Sequence, residues 1–258
     1  MTEIEKEKLG KTQKNKLKTI NDKQKGVIWK EGVSGEKIWM GSLLVNPNVK
    51  TDSYYHEESN TVHYVLEGEV TVFYGEKYME REQVSTGDFI YIPSYTSYIL
   101  KNNQESQKIH IVTTMAPKFN LKYTKQNEYT PLKKKNTIHE KIKVVRLSDL
   151  DSSTDQTKNM PRKTAIQTKN LWIGRVTGEK AMDSGKHHHG KAETVGFIIS
   201  GATNLLYGEN YNKYVHYAPG DFLRVPMYLP HIEQNPSKNS TVEFLTARNP
   251  ENIVVNLE

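Results

Sequence analysis

Short apolar runs separated by turn residues dominate the pattern of the chain. Runs such as "TVHYVLEG", "EVTVFYGE", "DFIYIP" and "IHIVTT" are rich in Val, Ile, Tyr and Phe, and Gly, Pro, Asn or Asp separates them. Strands of about four to eight residues with turns between them are typical of an antiparallel sandwich or barrel. No strong helical period lies between the runs, which argues against alternating β-α units. The pattern therefore predicts an all-β fold.

The same pattern occurs twice, at an offset of 133 residues. "GDFIYIP" at Gly87–Pro93 recurs as "GDFLRVP" at Gly220–Pro226. Between residues 54–98 and 187–231, 13 of 45 aligned pairs are identical without a gap. A repeat at one fixed offset indicates two copies of one supersecondary unit.

These observations predict four regions. We expect a flexible basic tail over residues 1–26, an N-terminal domain over 27–118 and a C-terminal domain over 166–258. The intervening residues 119–165 are rich in Lys, Asn and Pro, and we interpret them as a basic linker.

The positive charge of the chain is concentrated in two segments. The formal net charge is +6, but residues 1–30 carry +5 and residues 118–146 carry +7, so the rest carries −6. This distribution favours solvated basic segments over a nucleic-acid surface. Neither segment shows a helix-turn-helix or a pattern of stacking aromatics, so no nucleic-acid partner is expected.

Composition also limits the compartment and the ligand chemistry. The chain has no cysteine, which excludes disulfides and thiolate metal sites. No window approaches the roughly 20 apolar residues that cross a bilayer, and the N-terminus lacks the apolar core of a secretory signal. We therefore expect a cytoplasmic protein without a membrane partner.

Candidate chemistry lies in the stretch "KHHHGKAETVGFIISG". His187 and His189 are two residues apart, so on a strand both imidazoles point to one face, and His188 points to the other. Glu193 follows, and His231 ends the later stretch "GDFLRVPMYLPH". Three histidines and a carboxylate suit a divalent transition metal and leave positions for water or substrate. The alternative is a solvated histidine-rich loop.

Both stretches resemble the motifs of the cupin family. The first is similar to cupin motif one (His-x-His, Glu, then Gly), and Gly220–Asn235 resembles motif two. In motif two, Tyr228 stands where a glycine often follows the proline. The chain thus resembles a bicupin, which implies two jelly-roll-like barrels in tandem. The resemblance further implies one Fe, Mn, Ni, Zn or Cu ion per chain, held by His187, His189, Glu193 and His231.

One spacing departs from the common motif. Glu193 follows His189 after three intervening residues, and Thr194 occupies the more usual position. A β-bulge would restore the direction of the carboxylate. Without a bulge, the site would consist of three histidines and water.

The N-terminal copy carries a different set at the corresponding positions, namely Tyr54, His56, Asn60 and Tyr98. A phenol with a pKa near 10 loses its proton at high cost, so this set is not expected to hold a divalent metal at neutral pH. We expect a barrel that serves as a scaffold or lines a pocket with Tyr54, His63 and Tyr98. A ferric ion bound by tyrosine is the alternative.

The functional hypothesis is a metal-dependent enzyme for a small organic substrate, and the family resemblance makes a dioxygenase its first form. Bicupin isomerases, decarboxylases and an aminohydrolase are alternatives, as are a non-catalytic ligand sensor and a structural module. Glu243 and Tyr228 are the candidate catalytic residues, with an exposed strand carboxylate as the alternative for Glu243. Arg224 is expected either to clamp a carboxylate substrate or to form a salt bridge. The resemblance also implies a homodimer.

Overall fold

The computed structural model describes residues 8–124, 141–153, 157 and 159–258. Residues 1–7 of the predicted tail lie outside the described residues, as do 125–140, 154–156 and 158 of the predicted linker. The chain divides into a C-terminal unit (1–17, 32–39 and 150–258) and an N-terminal unit (18–31 and 40–149).

The described residues form strands throughout, which confirms the all-β prediction. The first twelve strands are β1 (Gly10–Thr12), β2 (Lys18–Asn21), β3 (Val27–Ser34), β4 (Trp39–Val45), β5 (Tyr54–Tyr55), β6 (Asn60–Glu67), β7 (Glu69–Tyr74), β8 (Glu80–Ser85), β9 (Phe89–Ile92), β10 (Ile99–Lys101), β11 (Ile109–Ala116) and β12 (Lys122–Tyr123). The others are β13 (Lys143–Val145), β14 (Arg162–Gln167), β15 (Trp172–Gly178), β16 (Met182–Asp183), β17 (His187–His188), β18 (Glu193–Ser200), β19 (Thr203–Tyr207), β20 (Lys213–Tyr217), β21 (Phe222–Val225), β22 (His231–Asn235), β23 (Val242–Asn249) and β24 (Val255–Asn256). Single 3-10 turns occupy Lys14–Lys16, Glu76–Tyr78, Leu147–Asp149 and Glu209–Tyr211.

The N-terminal unit is built from antiparallel sheets. Its largest sheet has the order β13-β9-β6-β11-β4-β3-β2, and smaller sheets have the orders β10-β7-β8 and β12-β5. The β2 strand lies within the predicted basic tail and pairs with β3 from Lys18↔Glu31 onward. The central strand β6 lies between β9 and β11, and its residues from Asn60 to Val65 are buried. Because consecutive residues of a strand point to opposite faces, this uninterrupted burial shows that both faces of β6 are covered, which suits its largely apolar sequence.

The C-terminal unit contains two six-stranded sheets. One has the order β1-β21-β18-β23-β15-β14, and the other includes β20-β19-β22-β17-β24 with β16 paired to β22. Gly201 turns the chain from β18 to β19 with a φ of +71°, and an added Cβ would lie 2.4 Å from the Thr241 carbonyl oxygen. Glycine is therefore required at this turn.

Apolar side chains of both sheets form the core of the C-terminal unit. The buried cluster includes Val176, Ile198, Leu205, Tyr217 and Phe244, among others. Among the described residues, no helix has the length and apolar character needed to span a membrane.

Candidate metal centre

Three imidazoles converge inside the C-terminal unit. His187 on β17 is paired with His231 on β22, and His189 follows two residues later on the same side of the chain. The ring centroids are 5.1 Å apart for His187–His189, 4.4 Å for His187–His231 and 4.9 Å for His189–His231. All three side chains are buried. The two stretches that the sequence singled out therefore meet in space.

The fourth member of this group is Glu233. It lies two residues after His231 on β22, so both side chains point to the same face. Its carboxylate oxygens lie 3.2 Å from Nε2 of His187 and 3.5 Å from Nε2 of His231. One potential ligand atom from each of these four residues lies within 4.8 Å of the others. Sequence reasoning missed Glu233, although the buried–exposed alternation of "HIEQN" places it beside His231.

Backbone carbonyl groups fix the tautomer of each imidazole. A carbonyl oxygen only accepts hydrogen bonds, so the Nδ1 atom that contacts it carries the proton. The Nδ1–O pairs are His187–Gly185 at 3.1 Å, His189–Ile253 at 3.0 Å and His231–Leu229 at 2.9 Å. The lone pair of each ring is therefore on Nε2, the atom directed towards the centre of the group. Anchoring the opposite ring nitrogen in this way is typical of histidines that bind metal.

Buried polar atoms provide a test of whether a metal fits. The Nε2 atoms of His187 and His231 are fully buried, and neither has a hydrogen-bond partner among the described residues. Leaving such acceptors unsatisfied costs free energy, and a bound cation would remove this cost. Three imidazole nitrogens and one carboxylate suit a divalent transition metal. The residues present therefore fit the metal that the sequence predicted.

Protonation of the group is compatible with metal binding. Burial lowers the pKa of His187 to about 4 and that of His189 well below its ordinary value, so both rings are neutral at pH 7. Burial alone would raise the pKa of Glu233, but nearby charged and hydrogen-bonding groups, Arg162 among them, outweigh burial and the net shift is downward. Neutral imidazole and ionised carboxylate are the forms that coordinate metals.

Glu193 does not belong to this group. Its carboxylate accepts hydrogen bonds from Nε of Arg224 at 3.1 Å and from the backbone N–H of Lys37 at 2.9 Å. Of the neighbouring residues Glu193 and Thr194, it is Thr194 that lines a small cavity beside the three histidines. Neighbouring residues on a strand point to opposite faces, so the three-residue spacing turns the carboxylate away. The bulge between β18 and β23 lies at Ile198/Ser200, too far along the strand to reverse Glu193.

The two candidate catalytic residues also lie away from the group. Glu243 on β23 accepts a hydrogen bond from the Thr177 hydroxyl and pairs with Arg175 at 3.2 Å. The neighbouring Phe244, by contrast, faces the cavity. Tyr228 is 63 % exposed, and its ring lies 6.1 Å from the ring of His188. The sequence placed both residues near the motifs, but strand direction and turn geometry take them elsewhere.

Arg248 is a second residue that sequence reasoning missed. Its Nη2 atom donates to Nε2 of His189 at 3.3 Å, and its Nε atom donates to the Thr194 hydroxyl at 3.3 Å. Its Nη1 atom donates to Asn252, and the guanidinium lies 5.3 Å from the Trp172 ring centroid. A buried guanidinium with these contacts places a fixed positive charge beside the group.

A small cavity adjoins the group. Its charged lining residues are Arg162, Glu233 and Arg248, and most of the others are apolar. It has room for about one water molecule.

The corresponding positions of the N-terminal unit form a closed hydrogen-bonded cluster. The Tyr98 hydroxyl lies 2.8 Å from Nε2 of His56 and 2.7 Å from Nε2 of His63. Nδ1 of His56 donates to the Asn120 carbonyl oxygen, so its Nε2 accepts a hydrogen bond from the Tyr98 hydroxyl. His63 must then donate from Nε2 to Tyr98 and accept from the Thr113 hydroxyl at 2.8 Å. Both rings use both nitrogens.

Burial makes this cluster unsuitable for a cation. Burial raises the pKa values of Tyr54 and Tyr98 well above that of free tyrosine, so both phenols keep their protons. The oxygen of Asn60 accepts the backbone N–H of Ser94 at 3.0 Å. Among the described residues of this unit, no group of three or more His, Cys, Asp or Glu side chains is placed to hold a metal.

A family model for the cupin domain matches residues 42–114, within the N-terminal unit. The matched residues belong to the unit whose polar cluster is closed. No curated protein matches the chain.

Solved structures of oxalate decarboxylase from Bacillus subtilis share the fold. The structure at pH 4.6 has a TM-score of 0.71 at 17 % identity and covers 96 % of this chain and 78 % of that chain. A structure describing a reaction specificity switch in oxalate decarboxylase has a TM-score of 0.71 at 16 % identity, covering 96 % and 79 %. One concerned with the Mn(II) centres of the Bacillus subtilis enzyme has a TM-score of 0.68 at 14 % identity, covering 96 % and 79 %. At these identities the likeness shows the fold alone.

Proposed function

We propose that the C-terminal unit is a metal-dependent enzyme that acts on a small organic acid. The observation that carries this proposal is the orientation of His187, His189 and His231, whose anchored rings direct Nε2 towards the Glu233 carboxylate. A divalent metal with open positions, once bound, polarises a substrate oxygen or activates O2. Metal identity stays open among Fe, Mn, Ni, Zn and Cu.

The position of Arg248 favours an acid as the substrate. Its guanidinium lies 3.3 Å from His189, and guanidinium groups bind carboxylates through two parallel hydrogen bonds.

A dioxygenase-type reaction is the first candidate, because that is the commonest reaction of the family that the motifs resemble. Decarboxylation is the second candidate, and Arg248 favours it because the reaction requires a carboxylate held at the metal. The structural neighbours named oxalate decarboxylase support this second reading. A bicupin isomerase, an aminohydrolase and a non-catalytic ligand-binding cupin are the remaining alternatives. A homodimer and a cytoplasmic location stay predictions.

The test uses the full chain loaded with manganese or iron and a panel of oxalate, malonate and short 2-oxo acids. O2 uptake and CO2 release are followed under air and under nitrogen. Stoichiometric O2 uptake identifies a dioxygenase, and CO2 release without net O2 uptake identifies a decarboxylase. We expect His189→Ala to abolish turnover and His56→Ala to retain it. A fully loaded protein that binds these acids without converting any of them would contradict the enzyme proposal and favour a ligand-binding role.

A further inference from the structure

Arg248 donates a hydrogen bond to Nε2 of His189, the ring atom that would coordinate a metal. Its three guanidinium nitrogens contact Thr194, Asn252 and Nε2 of His189. Since Nδ1 of His189 already donates to the Ile253 carbonyl group, only Nε2 of this ring has a lone pair available for a metal. A metal ion therefore reaches His189 only after this N–H···N contact is given up.

The charges that line the cavity add a cost to cation binding. Its charged lining residues are two guanidinium groups, Arg162 and Arg248, and one carboxylate, Glu233, so their formal net charge is +1. The carboxylate that motif one was expected to add is absent, because Glu193 is paired with Arg224 instead. A divalent ion would raise the formal charge to +3 among buried side chains, which is unfavourable without an added anion.

We propose that Arg248 makes metal loading depend on a small carboxylate anion. A carboxylate gives Nη2 of Arg248 an ionised acceptor, which forms a stronger hydrogen bond than the neutral imidazole of His189. The anion thus frees Nε2 of His189 and offsets the added charge. Thr194 presents only a small hydroxyl side chain at the position of the cavity wall where a glutamate was expected. This inference rests on the metal centre of the proposed function and adds to it a coupling between metal and anion.

Such a coupling is reciprocal. If the anion raises the metal affinity by a given factor, the metal raises the anion affinity by the same factor. The coupling is a property of binding, so it is measured without turnover.

The experiment titrates the metal-free full chain with Co²⁺ and follows the visible absorption of the bound ion. Sodium formate is the probe anion, and sodium chloride at equal ionic strength is the reference. We expect formate to tighten Co²⁺ binding at least about tenfold. We also expect Arg248→Met to bind Co²⁺ more tightly than the unmodified chain in chloride, with a change of less than about twofold on adding formate.

Two further variants control for structure and surface charge. Arg175→Met removes an arginine of the same unit that pairs with Glu243 away from the cavity, so it should retain the full response to formate. Arg248→Gln replaces Arg248→Met if the latter fails to fold. Circular dichroism of each variant checks folding.

The outcomes separate this inference from the proposed function. Tight Co²⁺ binding that does not respond to formate overturns the coupling and leaves the metal centre in place. A response of equal size in Arg248→Met and Arg248→Gln also overturns it, because the anion would then act elsewhere. Failure of the chain to bind Co²⁺ in either salt overturns both the coupling and the metal centre.

Discussion

The two units carry different types of side chain at corresponding positions. At the 133-residue offset, Tyr98 stands for His231, Leu100 for Glu233, Met115 for Arg248 and Trp29 for Arg162. The N-terminal members of these pairs are buried. The C-terminal unit thus surrounds its cavity with charges, whereas the N-terminal unit fills the same positions with aromatic and apolar side chains.

The turns and strands that the two units share do not require the same polar side chains in the interior. Both units retain the Gly-Asp-Phe turn and the proline at the end of the following strand. In the N-terminal unit the tyrosine hydroxyl satisfies the two buried histidines, and no cation is needed. In the C-terminal unit the Nε2 atoms of His187 and His231 lack such a partner among the described residues. The open lone pairs, and not the fold, distinguish the two units.

The largest expected effect comes from substituting His231 and, for comparison, the corresponding residue Tyr98 of the N-terminal unit. His231→Ala removes a ligand atom, so we expect the metal content of the purified protein to fall from about one ion per chain to near zero. Tyr98→Phe changes the corresponding residue of the N-terminal unit and should leave the metal content unaltered. Elemental analysis measures both. Equal loss from the two variants would contradict the difference between the units.

The two glutamates provide the next comparison. Glu233→Gln should weaken metal binding by about 100-fold or more, since a lost ligand costs at least as much as a lost outer partner. Glu193→Gln should keep the metal but lower the free energy of unfolding by about 2 kcal/mol, because it removes a buried hydrogen bond between two charged groups. Chelator competition and urea denaturation separate the two effects. Loss of metal from Glu193→Gln alone would restore the motif-based assignment.

Acid should destabilise the N-terminal cluster. The pKa of His56 is about 4 in the folded state and about 6.5 in the unfolded state, so the unfolded chain binds more protons below pH 6.5. Stability is therefore complete above pH 6.5 and is lost as the pH falls towards 4, by about 3 kcal/mol for this residue. Denaturation of the metal-free protein at several pH values across this range measures the slope of the free energy of unfolding against pH. His56→Gln should reduce the slope by the share of this residue, since His187 and His189 also have lowered pKa values, and an unchanged slope would rule out His56 as a contributor.

Glu243→Gln should have the smallest effect. The side chain of Glu243 is 24 % exposed and pairs with Arg175, so its loss should cost about 1 kcal/mol or less and leave metal binding unchanged. Thermal unfolding and elemental analysis measure these quantities. A drop in metal affinity would show that Glu243 contributes to the metal site.

Much of the fold could be predicted from the sequence. Strands such as β6 and β18 are short, β-branched and bounded by glycine, and this local pattern is independent of what packs against them. The 133-residue repeat extends the same conclusion to both halves of the chain. The convergence of His187, His189 and His231 also followed, because two motifs at a fixed offset specify where each strand ends.

The identity of the carboxylate could not be predicted in the same way. Glu193 and Thr194 differ by one position, and a strand sends neighbouring side chains to opposite faces. The register of β18 against β21 and β23 decided which of them faces the cavity. Arg248 was equally hidden, since it lies 59 residues from His189 along the chain and meets it only through sheet pairing.

The sequence by itself determined that this protein is an all-β chain with a 133-residue repeat and three histidines at motif positions, because strand propensity and repeat spacing are local properties. Only the tertiary structure decided that Glu233 completes the group, that Glu193 pairs with Arg224, and that Arg248 reaches His189. These contacts depend on which face of a strand meets which neighbour. That choice is set by sheet register, to which residues far apart in the chain contribute together.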